Sequence, residues 1–108
     1  MDQKRIVITG IGVVSPIGIG KDAYWQALRE GKSGIKPITL FDTSDFVIKE
    51  AGEITDFDAK EILGRRGLVD LDRATKLLLC ASKFAIEDSK LKITDQNTHQ
   101  IGVSTGTT

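Results

Sequence analysis

A single long helix pattern limits the folds open to this chain of 108 residues. The pattern begins at Asp70 or Asp72, either of which can act as an N-cap, and runs to about Asp88. Its apolar residues recur at helical spacing and comprise Leu71, Ala74, Leu77, Leu78, Cys80, Ala81, Phe84 and Ala85. The middle of the pattern is apolar nearly all round. A helix of that kind needs neighbours on more than one face.

Two shorter helices are predicted before it. Residues 22–30 form an amphipathic segment with an acidic residue at its start and Gly31 as its stop. Residues 58–63 are predicted to form one or two helical turns ended by Gly64. Residues 31–45, rich in turn formers, are predicted to be irregular.

The strand signals lie near the two ends of the chain. Residues 5–9 (RIVIT) and residues 100–104 (QIGVS) are predicted as buried strands, and residues 46–54 can hold a short one. With the helices between them, they indicate an α/β fold. Two core strands and one nearly all-apolar helix make a poor free-standing domain, and the last strand runs into a glycine turn. We therefore expect the chain to be a fragment of a larger fold.

Composition narrows the classes of partner and compartment. Fifteen basic and fifteen acidic residues cancel, so no net field draws the chain to nucleic acid or to an anionic membrane. One cysteine forms no internal disulfide, which favours a reducing compartment. No small-x-small cleavage site follows the first apolar run, residues 6–20, so a signal peptide is not expected. No apolar run is long enough to span a bilayer. We expect a cytoplasmic protein.

The turn after the first strand permits two interpretations. Gly10 and Gly12 match the start of a dinucleotide-binding fingerprint, but Ser15 occupies the third position and Pro16 follows it. The chain could therefore be a small dinucleotide-binding module. Alternatively, the glycines let the chain leave a crowded sheet at positive φ.

The cysteine and the histidine of the sequence do not suffice for a catalytic site. Cys80 could be a nucleophile, but it lies in the middle of a helix on an apolar face, which favours a small buried hydrophobe. His99 is the only histidine and lies in a polar stretch, so we expect it at the surface. With this shortage neither a nucleophile–histidine triad nor a metal site is expected, and no cofactor is predicted.

Arg65 and Arg66, with Arg73 further on, form the basic cluster of the sequence. They could be a solvated helix end. They could also form a small docking site for an acidic partner.

Taken in order, the segments resemble the opening of the β-ketoacyl synthase family, in particular the type II condensing enzymes of fatty acid and polyketide synthesis. The resemblance covers the whole chain and is carried by residues 5–18 (RIVITGIGVVSPIG), 25–35 (WQALREGKSGI), 41–44 (FDTS), 51–52 (AG), 57–58 (FD), 71–73 (LDR), 85–88 (AIED) and 101–102 (IG). It implies the layered αβαβα thiolase-like fold. Residues 1–108 would be the N-terminal segment of the family's N-terminal domain.

The family's reaction is a decarboxylative Claisen condensation of acyl and malonyl groups carried on acyl carrier protein. A cysteine accepts the acyl group, and two histidines assist decarboxylation and stabilise the enolate. The resemblance places all three beyond residue 108, so it implies that this chain is inactive alone, and Cys80 does not match the catalytic cysteine. A non-catalytic subunit of the chain-length-factor type is the alternative. The full-length protein would form a homodimer or a heterodimer.

The resemblance also assigns binding residues. Arg65 and Arg66 match the family's basic segment that docks the acidic acyl carrier protein, whereas Val69 and Asp70 stand where the fatty-acid enzymes usually have basic residues. That departure implies another carrier or a chain-length-factor partner. The border of the acyl pocket and the dimer interface maps to Gly106, Thr107 and Thr108, with Thr108 replacing a usual glycine.

Overall fold

The long helix is the central element of the computed structural model, which describes residues 2–107. Three helices and two antiparallel ribbons make up the regular structure of this range. In chain order they are β1 (Val14–Ser15), β2 (Gly18–Ile19), α1 (Lys21–Arg29), β3 (Ile35–Pro37), β4 (Glu50–Gly52), α2 (Ala59–Leu63) and α3 (Arg73–Ser89), followed by a 3-10 turn at Thr98–Gln100.

Helix α3 begins and ends through local chemistry. The carboxylate of Asp72, and not that of Asp70, accepts a hydrogen bond from the Thr75 N–H at 2.7 Å. At the other end Lys90 adopts the left-handed conformation, with φ 58°. Cys80 is completely buried, but Leu78 and Leu79 on other faces are 44% and 40% exposed. The helix is therefore confirmed, while the expected cover on most of its sides is absent among residues 2–107.

The two shorter helices also follow their predicted bounds closely. Helix α1 is followed by Gly31 at φ 67°, and its Ala27 is buried. In α2 the Asp58 carboxylate accepts from the Lys60 N–H at 2.8 Å, and Gly64 ends the helix at φ 84°. Glycine tolerates this positive φ without the steric penalty that a side chain brings.

The predicted terminal strands are not formed. Residues 5–9 and 101–104 carry no strand, and Gln100 belongs to the 3-10 turn. Ile6, Ile8 and Val103 are 96%, 87% and 89% exposed. A strand needs a neighbour for its backbone hydrogen bonds and a cover for its apolar face. Residues 2–107 provide neither beside these segments, so the prediction of buried strands is wrong for this chain.

The ribbon of β3 and β4 lies partly where an irregular segment was predicted. Ile35 pairs with Gly52, Lys36 with Ala51 and Pro37 with Glu50. The short strand expected within residues 46–54 is thus confirmed as β4. Its partner β3 corrects the expectation for residues 31–45, because its pairing is non-local and leaves no apolar alternation in the sequence.

Gly10 and Gly12 serve close packing and not a left-handed backbone. Neither has positive φ; the glycines that do are Gly20, Gly31, Gly64 and Gly67. A Cβ built on Gly12 would lie 2.6 Å from the Ala85 nitrogen and closer still to the Ala81 carbonyl. A Cβ on Gly10 would lie 2.6 Å from the Ser89 nitrogen. The segment therefore rests directly on the backbone of α3, and the positive-φ interpretation is wrong.

The core is small for the length of the chain. It consists of Ala59, Leu68 and Cys80, with Val14 and Phe57 among the partly buried residues around it. The accessible surface is 9372 Å², against about 5,900 Å² for a compact monomer of this mass. The radius of gyration is 17.3 Å, against about 13 Å for a compact domain of this length. Most large apolar side chains therefore remain in contact with solvent.

Candidate docking groove

Arg65 and Arg66 lie in a loop that connects α2 to α3 and whose position is fixed by one buried side chain. Both arginines are exposed, while Leu68 is 6% exposed and belongs to the core. The Leu71 N–H donates to the Leu68 carbonyl at 3.3 Å, which closes the loop ahead of α3. A buried anchor with flanking exposed cations holds positive charge at a defined place on the surface.

An open groove of about 460 Å³ runs between α2 and the start of α3. We call it the α2–α3 groove, and it is lined by Phe57, Asp58, Ala59, Lys60, Arg65, Leu68, Val69, Arg73 and Lys76. Four of these residues are basic and one is acidic. The structure thus places Arg65 with cations from two helices, whereas Arg66 does not line the groove.

Arg73 is held within the chain and shapes one wall of the groove. Its guanidinium donates to the Ile54 carbonyl and lies 5.7 Å from the centre of the Phe57 ring. The Leu40 N–H is the largest cause holding the pKa of Glu53 below its ordinary value; hydrogen bonds from Thr39 add to it, and the charge of Arg73 contributes least. Sequence grouped Arg73 with Arg65 and Arg66, but its contacts give it a structural role.

The other three cations of the groove form no ion pair within residues 2–107. The ion pairs among residues 2–107 are Lys21–Asp88, Lys32–Glu30 and Lys83–Glu87. Lys60, Arg65 and Lys76 take part in none of them. The Asp58 carboxylate caps α2 through the Lys60 N–H. With four basic residues and one acidic residue in its lining, the groove presents an excess of positive charge beside an apolar floor, an arrangement suited to an acidic ligand with some apolar surface.

Sequence reasoning missed Lys60 and Lys76. Part of the signal was available, because Arg73 and Lys76 are spaced three apart and so share a face of α3. Lys60 meets them only through the packing of α2 on α3, which no local pattern reveals.

The reactive side chains fall where the sequence predicts. Cys80 is fully buried, and burial raises the pKa of its thiol despite the nearby Lys83. His99 is exposed in the 3-10 turn. The nucleophilic form of cysteine is the thiolate, and a raised pKa disfavours that form. Cys80 is therefore a core residue and not a nucleophile.

Dinucleotide and metal sites find no support in the described part of the chain. Gly10 and Gly12 lie against α3, so their backbone does not face an open cleft in which a pyrophosphate could bind. No cluster of three or more His, Cys, Asp or Glu residues suited to a metal ion occurs within residues 2–107. In the same range no helix has both the length and the apolar character that crossing a membrane demands.

The predicted pocket border lies at the start of α3. Gly106 and Thr107 line a shallow groove of about 270 Å³ together with Asp72, Thr75 and Leu78. Thr108, the third residue of that prediction, lies outside the described residues. The border assignment stays a prediction.

Helices and short strands alternate along the described part of the chain, and comparison with known proteins gives the family. Residues 3–108 match the profile described as "Beta-ketoacyl synthase, N-terminal domain". The chain belongs to the β-ketoacyl synthase family, as its sequence motifs predicted.

Individual relatives agree. The chain is 46% identical over 107 residues to 3-oxoacyl-[acyl-carrier-protein] synthase 2 of Synechocystis, covering 99% of this chain and 26% of the relative. It is 43% identical over 106 residues to the ketoacyl synthase alpha subunit of the tetracenomycin polyketide synthase of Streptomyces glaucescens, covering 97% of this chain and 25% of that protein. The chain thus spans about a quarter of the length of these relatives.

A solved structure confirms the fold class. The ishigamide ketosynthase/chain length factor superposes with a TM-score of 0.74 at 40% identity, covering 80% of this chain and 21% of the other. At this identity the two chains share sequence as well as fold. The prediction of a thiolase-like α/β fold is confirmed.

Proposed function

We propose that this chain forms the N-terminal part of a β-ketoacyl-(acyl carrier protein) synthase. In this proposal the whole protein elongates acyl chains by decarboxylative condensation of acyl and malonyl groups on acyl carrier protein. The observation that carries the proposal is the 46% identity to a 3-oxoacyl-[acyl-carrier-protein] synthase across 99% of the chain. Residues 1–108 are then the N-terminal segment of the ketoacyl synthase N-terminal domain.

This segment contributes binding and architecture, and not the reacting groups. Cys80 is buried with a raised pKa, and His99 is exposed and remote from it in sequence. Neither can stand in for a cysteine with two histidines, so the chain alone is inactive. Arg65 and Arg66 dock the acidic carrier, and Gly106 and Thr107 border the acyl pocket and the dimer interface of the full-length protein.

A chimera tests the proposal. This chain replaces the matching 107 residues of the Synechocystis synthase, and condensation of acyl and malonyl groups on acyl carrier protein is measured. We expect the chimera to elongate the acyl chain, since the replaced segment supplies docking and packing and the relative supplies the reacting groups. The 108-residue chain alone is the control and turns over nothing. A folded chimera without activity, or turnover by the chain alone, contradicts the proposal.

A second candidate is a non-catalytic subunit of the chain-length-factor type. Two observations favour it: a ketosynthase/chain length factor is a structural neighbour, and Val69 and Asp70 replace the basic residues usual in the fatty-acid enzymes. Such a subunit pairs with an active synthase and shapes its pocket. The residue at the family's cysteine position in the full-length protein discriminates, because only the synthase needs a thiol there.

A further inference from the structure

We propose that the loop of residues 40–48 is an apolar and acidic docking element, and that it binds the α2–α3 groove of a second copy of this chain. The inference concerns how copies of the chain associate, so it goes beyond the proposed function. It rests on the hydrogen bonds that order the loop, on the apolar side chains that the loop exposes, and on the opposite charges of loop and groove.

The 40–48 loop is held in one conformation by local hydrogen bonds. At its base the Glu53 carboxylate accepts from the Thr39 N–H at 2.8 Å and from the Thr39 hydroxyl at 3.0 Å. At its tip the Asp42 carboxylate accepts from the Ser44 N–H at 3.0 Å and from the Ser44 hydroxyl at 2.9 Å. Residues 5–9, in contrast, make no backbone hydrogen bond within residues 2–107. The side chains of the loop are therefore exposed on an ordered element and not on a strand that lacks its neighbour.

The loop presents a patch of large apolar side chains to solvent. Five of them are more than half exposed, namely Leu40, Phe41, Phe46, Val47 and Ile48. The rings of Phe41 and Phe46 pack edge to face with their centroids 5.8 Å apart. At half exposure a phenylalanine offers on the order of 100 Å², so the five side chains supply roughly 500 Å² of the about 800 Å² per partner that a stable interface buries. An ordered patch of this kind is typical of a protein-binding surface.

The charges of the loop match those of the α2–α3 groove. Residues 40–48 contain two acidic residues, Asp42 and Asp45, and no basic residue. The groove has four basic residues and one acidic residue in its lining, and Leu68 and Val69 give it an apolar floor. Loop and groove are therefore complementary in charge and in polarity. Contact between the loops of two copies would instead bring the aspartates of both copies together, which like-charge repulsion opposes.

The loop and the groove lie on either side of Arg73. This residue lines the α2–α3 groove and also a smaller cleft of about 250 Å³, whose lining includes Leu40 and Phe41. A two-fold arrangement of two copies then places each loop in the groove of the other, and an interface of this kind closes at a dimer. The predicted interface border at Gly106 and Thr107 lines a different groove.

Sedimentation equilibrium of the 108-residue chain tests the contact. We expect a monomer–dimer equilibrium that weakens as the salt concentration rises, because salt screens exposed charges. Asp45→Lys and Arg65→Glu should each raise the dissociation constant about tenfold or more, since each reverses a charge in both contacts of the dimer. Val47→Ser should weaken the dimer without changing its salt dependence, because it removes apolar surface and no charge. All three positions are exposed, so the fold should survive, and circular dichroism verifies this.

Matched variants and a mixing experiment give the test its specificity. Lys92→Glu and Asp95→Lys make the same charge changes at exposed positions outside the loop and the groove, and they should leave the dimer unchanged. A mixture of the Asp45→Lys chain with the Arg65→Glu chain should dimerise more tightly than either variant alone. In the mixed pair one loop and one groove keep their original charges, and the other loop and groove carry exchanged charges that again attract.

Four outcomes would each overturn the proposal. The unaltered chain stays monomeric up to about 100 μM, its dimer is indifferent to Arg65→Glu, or the mixture associates no more tightly than its components. The fourth is that Ile8→Ser abolishes association while Asp45→Lys does not, which would show that the exposed segment of residues 5–9 pairs the copies. Sedimentation does not depend on condensation activity, so the dimer contact can fail while the proposed function stands, and the reverse also holds.

Discussion

Among the glycines of the chain, Gly12 leaves the least room for a side chain. Its backbone lies against α3, and a Cβ there would meet the Ala81 carbonyl and the Ala85 nitrogen. Gly10 makes the same kind of contact one turn further along the helix, at Ala85 and Ser89. The pair therefore sets how closely the N-terminal segment approaches α3.

Gly12→Ala should destabilise the chain by about 1–3 kcal/mol, the usual range for overpacking a tight contact. The comparison is Gly102→Ala, because a Cβ on Gly102 meets nothing within 4 Å and the change should stay within about 0.5 kcal/mol. The free energy of unfolding from urea titration measures both. Equal effects of the two substitutions would show that the close approach does not carry stability.

Residue-level predictions succeeded where a local pattern decides the environment. The apolar stripe of α3 was enough to bury Cys80, and the polar stretch around His99 was enough to expose it. The conformation of Gly12 was not predictable in this way, because its cause is the backbone of α3, which lies far along the chain. The groove shows the same limit: adjacent Arg65 and Arg66 were evident, whereas Lys60 and Lys76 join Arg65 only through packing.

At the scale of elements, Asp88 ties three segments together. Its carboxylate pairs with the Lys21 ammonium of α1 and accepts from the Ile11 N–H at 2.9 Å, while its own backbone belongs to α3. The hydrogen bond from Lys21, followed by that from Ile11, holds the pKa of Asp88 below its ordinary value. One carboxylate thus links the N-terminal segment and two helices.

This linkage makes a pH dependence testable. Because the folded pKa of Asp88 is depressed, its contribution to stability is present above the unfolded value, about 3.9, and is lost as pH falls through the folded value. Asp88→Asn should lower stability at neutral pH and flatten its fall between about pH 5 and pH 3. Urea unfolding across that range measures the slope. Asp95→Asn removes the same charge from an exposed turn, and an identical flattening there would contradict the role of Asp88.

Elements with local start and stop signals were predictable. The caps Asp58 and Asp72 and the glycines after α1 and α2 stand in the sequence beside the helices they limit. The choice between Asp70 and Asp72 needed the structure, since both residues are aspartates and either can cap a helix. Strand β3 escaped prediction because its hydrogen-bonding partner β4 lies more than ten residues away.

At the scale of the whole molecule, the terminal segments show what a sequence pattern cannot supply. Residues 5–9 have the composition of a buried strand but make no backbone hydrogen bond within residues 2–107. The segment is apolar and β-prone. A β-strand forms only beside a neighbouring strand, so the composition of residues 5–9 alone could not determine whether they form one.

Hydrogen exchange should resolve this. In the 108-residue chain the amides of residues 6–9 should exchange at rates close to those of an unfolded peptide, while the middle of α3 is protected. In the chimera with the Synechocystis synthase, residues 6–9 should become protected, because we expect the completed fold to supply a neighbouring strand for this β-prone segment. Protection of residues 6–9 in the chain alone would contradict the exposed segment described here.

The contact at Gly12 also has a consequence for how this family can vary. The atoms that a new side chain would strike belong to the peptide backbone of α3, and every amino acid carries the same backbone atoms. No second substitution in the helix, however small its side chain, can make room. A substitution at Gly12 therefore has to be offset by stabilising changes elsewhere in the protein, because trimming a side chain of α3 cannot relieve the clash.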